Sequence, residues 1–191
     1  MSYTLPPIEE IGLSLVDTKT EICNHLFEPC STLTAFILAK VLTINCSFNS
    51  YGQFIEAARI ALLQFLEDEE SKEKKGKGPL DLKISQIIAA HPRLGASKTT
   101  KLSSHSATEQ KSLQAASDEE TKALLDLNNQ YETAFPGLRY VVFVNGRPRS
   151  DIMENMKMRI ARNDISLERK EAFNAMCDIA LDRAFNLGAK L

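Results

Sequence analysis

The sequence predicts an all-α, single-domain multi-helix bundle with one short extended segment near residues 139–144. Three observations carry this prediction. Apolar residues recur at three- and four-residue intervals through most of the 191 residues. Ser, Asp and Asn residues suited to capping stand ahead of most of those runs. Only Arg139-Tyr140-Val141-Val142-Phe143-Val144 is β-branched and aromatic enough to read as extended, and no second run exists to pair with it. A hydrophobic fraction of 43% over this length is enough for one core, so residues 1–191 read as one domain.

In chain order, residues 8–27 place Ile11, Leu15, Ile22, Leu26 and Phe27 at loosely helical spacing. Ser31-Thr32 offers a cap for a helix with Leu33, Phe36, Ile37, Val41 and Ile44 on one face. Asn49-Ser50 precedes a stronger pattern, Phe54, Ala58, Ala61, Leu62, Phe65 and Leu66. The charged stretch 67–79, EDEESKEKKGKGP, has too little apolar surface to order itself and is expected to be a solvated, flexible loop. Asp81 caps a short helix (Leu82, Ile84, Ile87, Ile88) that ends at His91-Pro92. Ser106-x-x-Glu109 has the form of a capping box, and Ser117-Asp118-Glu119-Glu120 is a second start signal. After the extended run, Asn145-Gly146 marks a turn, Ser150-Asp151 caps a helix, and Ser166 begins the last one. That helix shows Phe173, Met176, Ile179, Ala180 and Leu187 on one face, with Gly188 as its stop.

Composition excludes several classes of function. With 23 basic and 25 acidic residues the net charge is -2, which gives no general electrostatic case for nucleic acid or a membrane surface. No apolar run approaches the roughly 18 residues of a membrane span. The N-terminus lacks the pattern of a secretory signal. The four cysteines, Cys23, Cys30, Cys46 and Cys177, form no CxxC pair and read as reduced thiols of an intracellular protein. There is no Gly-rich phosphate loop, no dinucleotide fingerprint and no G-x-S-x-G elbow.

Chemistry concentrates between residues 87 and 110. His91 falls just past a helix end, where it faces a cavity or loop and titrates near neutral pH, or else serves as an ordinary hydrogen-bonded residue. Glu109 is either half of a cap or a carboxylate presented to a ligand. Arg183 shares the inward face of the last helix, so it either pairs with an internal carboxylate or waits for an anion, and the second is the expectation. His91, His105 and Glu109 also admit a metal site, although no third-ligand spacing supports it. The extended run leaves backbone groups that need partners, a polar ligand among the candidates.

At these residues the chain resembles the 2-oxo-4-hydroxy-4-carboxy-5-ureidoimidazoline (OHCU) decarboxylase family. The resemblance rests on Ala90-His91-Pro92-Arg93-Leu94-Gly95, on LSSHSATEQ from Leu102 to Gln110, on Asn128-x-x-Tyr131 and on Ile179-Ala180-x-x-Arg183. It includes Phe27-Glu28 and Ser47-Phe48 and covers roughly residues 8 to 188. Phe135-Pro136-Gly137-Leu138-Arg139 departs from the aromatic-rich Gly-Phe segment usual in the family, and the 67–79 stretch is longer than usual.

The resemblance implies an all-α fold, often a homodimer, that converts OHCU, an anionic ureidoimidazoline, to (S)-allantoin in urate degradation without a cofactor or metal. It implies His91, Glu109 and Arg183 as catalytic residues. It also implies a substrate-binding wall of Pro92, Ser106, Ala107, Thr108, Glu109, Gln110, Tyr140, Val141, Val142, Phe143 and Val144. Metal-dependent amidohydrolase and non-catalytic helical binding module are the alternatives. The terminal Ala189-Lys190-Leu191 resembles a peroxisomal Ser-Lys-Leu address, so a peroxisomal location is expected, or else a cytoplasmic one.

Overall fold

Apolar periodicity becomes helix along almost all of its length. The computed structural model describes residues 3–43, 46–95, 103–109 and 117–189. After a 3-10 turn at Ile8–Glu10, eight α-helices follow among the described residues. They are α1 (Val16–Leu26), α2 (Ser31–Lys40), α3 (Tyr51–Lys74) and α4 (Leu82–Ala89), then α5 (Ser104–Glu109), α6 (Asp118–Ala134), α7 (Arg149–Arg162) and α8 (Ile165–Asn186). No described residue is in a β-strand, and residues 139–144 form neither helix nor sheet ladder.

The spine of the bundle is α3 packed along α8. The first contributes Phe54, Ile55, Ala58, Leu62 and Leu66, and the second Phe173, Met176, Cys177, Ala180 and Ala184, all buried. Small residues on α8 let the backbones approach, while the aromatic and branched residues fill the gap. Helices α1 and α4 also pack on α8, and α6 packs on α7. This brings the end of α4 beside the C-terminal half of α8, the geometry that the site exploits.

Several expected caps hold. Ser50 accepts from the Gln53 N–H at 3.2 Å, Asp81 from Lys83 at 2.9 Å, and Ser117 forms a full capping box with Glu120. Others move by a residue or two. The cap of α2 is the Cys30 sulfur rather than Ser31-Thr32, α7 starts after Pro148, and Asp164 caps α8. Pro at that position supplies a fixed φ at no cost in N–H bonds. Asn145 and Gly146 both take positive φ, as a tight turn requires, and Gly188 does so at the end of α8.

The charged stretch 67–79 is a correction: α3 continues to Lys74, so most of the expected loop is helix. Its order comes from outside the segment. Glu70 accepts from Ser166 at 2.6 Å and from Arg169 at 3.3 Å on α8, and Leu66 and Glu69 are buried. Tertiary contact and (i, i+3) pairing, such as Lys72 with Glu69, supply what local apolar content does not.

Candidate active site

Four elements converge on one cavity of about 420 Å³: the end of α4, the short α5, the 140–146 segment and the C-terminal half of α8. Of the residues expected at the site, His91, Pro92, Ser106, Thr108, Glu109, Arg183 and all of Tyr140 to Val144 line it. Ala107 is half-buried on α5 and does not line the cavity, and Gln110 lies outside the described residues. Lys190 and Leu191 also lie outside them.

His91 follows α4 by two residues, its N–H bonded to the Ile88 carbonyl at 3.3 Å. The Arg139 guanidinium donates to the His91 carbonyl at 2.8 Å, so the departure at Phe135–Arg139 adds a clamp on the histidine backbone. The imidazole is buried, and its Nε2 has no hydrogen-bond partner. Burial, aided by the positive charges of Arg183 and Arg139 and opposed by Glu28, lowers its pKa to about 4. The expectation of titration near neutral pH is therefore corrected: burial favours the neutral imidazole at pH 7.

Arg183 holds the centre. Its Nε donates to Glu109 Oε1 at 2.6 Å and its Nη2 to Glu109 Oε2 at 2.8 Å, a bidentate fork. Nη2 also reaches Glu28 Oε1 at 2.7 Å and Ser106 Oγ at 3.2 Å. Ser106 Oγ donates to the same Glu28 oxygen in a short bond, and Ser103 reaches it at 3.3 Å. Burial alone would raise the Glu28 carboxyl, but Arg183 and the Ser106 hydrogen bond outweigh it and hold its pKa below the ordinary range. The arginine expected to wait for an anion thus already has two carboxylates. Only Nη1 is buried without a partner.

The capping box at Ser106 and Glu109 is also corrected. Ser106 lies inside the first turn of α5, and Ser103 Oγ accepts its N–H at 3.1 Å in the manner of a cap. Both residues of the expected box turn inward to Arg183. Glu28 is the residue whose role sequence reasoning missed. The sequence pointed to it only through the Phe27-Glu28 pair of the family resemblance, to which no role was attached, at the place where α1 stops. Leu94, Asn145, Gly146, Ile179 and Asp182 complete the lining.

His105 Nε2 lies 3.0 Å from His25 Nδ1, and Tyr3 stacks on His25. No group of three or more His, Cys, Asp or Glu residues with metal-binding geometry occurs among the described residues. No described helix is long and apolar enough to cross a membrane.

The arrangement is a buried imidazole and an arginine with one unpaired nitrogen lining one cavity of mixed polar and apolar walls, with a carboxylate beside them. It suits an anionic ligand that needs a proton. No curated protein sequence matches the chain significantly. The model of the OHCU decarboxylase family matches residues 16–185, from the start of α1 to within one residue of the end of α8. With that match over most of its length, the chain belongs to the OHCU decarboxylase family and is a carboxy-lyase of purine degradation.

Proposed function

We propose that the protein converts OHCU to (S)-allantoin without a cofactor, and that His91 delivers the proton that sets the hand of the product. The observation that carries this reading is that His91 and Arg183, each of which keeps one buried polar atom unpartnered (Nε2 and Nη1), line the same cavity. Buried polar atoms left unpaired are costly and few, and two such residues around one hollow fit a preorganised site.

The substrate carries its carboxylate beside a ring C=N bond. When the bond to the carboxylate breaks, its electron pair moves into the adjacent C=N and CO₂ leaves. An enol-type intermediate forms, and a proton added to carbon then yields allantoin. The ring imine is the electron sink, so the protein's tasks are to hold the anion, orient the ring and protonate one face. Arg183 Nη1 meets the anion. Glu109 fixed by the arginine fork, with the walls of Pro92, Ser106, Thr108 and Tyr140 to Val144, orients the ring and ureido groups. Ala107, expected in the same wall, acts through α5.

His91 starts neutral. A substrate anion in contact with it offsets the desolvation that lowers its pKa, and so draws a proton onto the ring for delivery. The homodimer expected of the family belongs to the same reading, and light scattering checks it.

The test is turnover of fresh OHCU in D₂O by protein dialysed exhaustively against EDTA. Undiminished acceleration, with one deuterium on the newly protonated carbon, is the expected result. Loss of activity on chelation, restored by zinc, would return the amidohydrolase reading.

A further inference from the structure

We propose that Arg159 is a positioning residue of this site: it holds the 140–144 wall from behind, with the carbonyls of Val141 and Phe143 turned away from the cavity and the N–H groups of Val142 and Val144 turned in. The inference deepens the decarboxylase reading and rests on it for its kinetic arm.

The wall separates two hollows. Val141, Val142, Phe143 and Asn145 line the cavity of His91 and Arg183, and the same four residues line a second hollow of about 390 Å³ on their other side. Arg159 and Arg147 belong to that second hollow. Arg159 Nη1 donates to the Val141 carbonyl at 3.1 Å, Arg147 Nε donates to the Val144 carbonyl at 3.2 Å, and Arg147 Nη2 donates to the Phe143 carbonyl. All described peptides here are trans, so the C=O of one residue and the N–H of the next point in opposite directions. Holding the carbonyls of Val141 and Phe143 on the outer side therefore aims the N–H groups of Val142 and Val144 at the inner one. Neither N–H donates to any described residue. Paired carbonyls behind and unpaired donors in front form the polarity that an anionic or carbonyl-rich ligand requires.

Arg159 is itself fixed more firmly than a simple wall contact needs. It meets Glu168 at 2.7 Å and Glu171 at 3.0 Å. Its guanidinium stands 4.8 Å from the Tyr140 ring centroid and 5.9 Å from that of Tyr131. Tyr131 donates to Glu168 at 2.6 Å, and Tyr140 donates to Asn155 at 2.6 Å. One rigid fork thus ties α6, α7, α8 and the wall together, and lysine has no second donor arm with which to do the same.

The experiment compares Arg159→Lys and Arg147→Met with the wild-type protein in OHCU kinetics and in amide NMR. Arg159→Lys keeps a charge against Glu168 but cannot span Glu168 and the Val141 carbonyl together. We expect it to fold, with KM raised about tenfold or more and kcat within about threefold, because wall donors hold substrate and transition state alike. Arg147→Met, a change at a half-buried side chain, is expected to raise KM in the same direction through Phe143 and Val144. The Val142 and Val144 amide resonances should shift in both variants without any ligand. A merely structural arginine would lower stability and leave the KM of the folded enzyme unchanged, and that result overturns the proposal. If Arg159→Lys does not fold, an unchanged KM and unchanged Val144 amide in Arg147→Met overturn it equally. A wild-type protein inert toward OHCU would defeat the decarboxylase reading instead, and unmoved amides would still count against Arg159 separately.

Discussion

Arg183 grips Glu109 through two parallel hydrogen bonds, of 2.6 and 2.8 Å, and keeps a third guanidinium nitrogen buried without a partner. Glu28 and Ser106 crowd the same fork. One side chain therefore does two jobs. It offsets the charge of two carboxylates, and it keeps one buried donor unpaired beside the cavity.

The first consequence concerns stability. Arg183→Met leaves Glu28 buried without its cation and Glu109 partly so. Breaking a buried ion pair from one side costs about 3–5 kcal/mol, so a clear fall in the urea or thermal midpoint is expected together with loss of turnover. A midpoint equal to or above the wild-type value would mean that Glu28 and Glu109 do not depend on the arginine.

His91 should separate function from folding. Its Nε2 makes no bond in the ligand-free protein, so His91→Asn removes little that holds the fold. We expect stability within about 2 kcal/mol of wild type and turnover lower by about 10²–10⁴-fold, the usual worth of a general acid–base group. Retention of more than about a tenth of the activity, well short of that range, would make the histidine structural.

The same residue predicts a pH dependence. The folded pKa of His91 is about 4, below the ordinary 6.5, so between these values the unfolded chain binds the proton more readily. Its contribution is fully present above pH 6.5 and is lost as the pH falls through about 4. Denaturant midpoints measured across that window should fall more steeply for wild type than for His91→Asn. Parallel curves would show that the imidazole is not held neutral.

Much of this was legible in the sequence, for identifiable reasons. Helix faces such as Phe54-Ala58-Leu62 on α3 and Phe173-Met176-Ala180 on α8 follow from periodicity, which burial then enforces. His91 was placed past a helix end by the proline after it, and the extended run through Tyr140–Val144 by its β-branched and aromatic residues, while its place in a site wall came from the family resemblance. What failed depended on groups distant in the chain. The helix at residues 67–74 is ordered by Ser166 and Arg169, and the Ser106-x-x-Glu109 cap lost to Arg183, 74 residues beyond Glu109. Glu28 was hidden for the same reason: its partner is 155 residues away.

Glu28→Gln tests the electrostatics of that hidden partner. The amide keeps an oxygen for Ser106 and Arg183 but removes the charge that opposes burial's effect on His91. We expect a loss of about 1–3 kcal/mol, the range for a hydrogen bond to a charged group, and a His91 pKa lower still by NMR titration. A His91 pKa unchanged or raised would remove Glu28 from the electrostatics of the site.

The central claim is that the cavity decarboxylates OHCU and protonates the intermediate from one side. Uncatalysed protonation of a planar enol in water meets both faces equally and gives racemic allantoin, so optical activity separates enzyme from background. The decisive measurement is circular dichroism of fresh OHCU mixed with wild-type protein and, in parallel, with His91→Asn. A growing signal of (S)-allantoin is expected with the wild type, and only the slow, optically silent decay with the variant. An optically silent product with wild-type protein, or an undiminished (S) signal with His91→Asn, would contradict the claim.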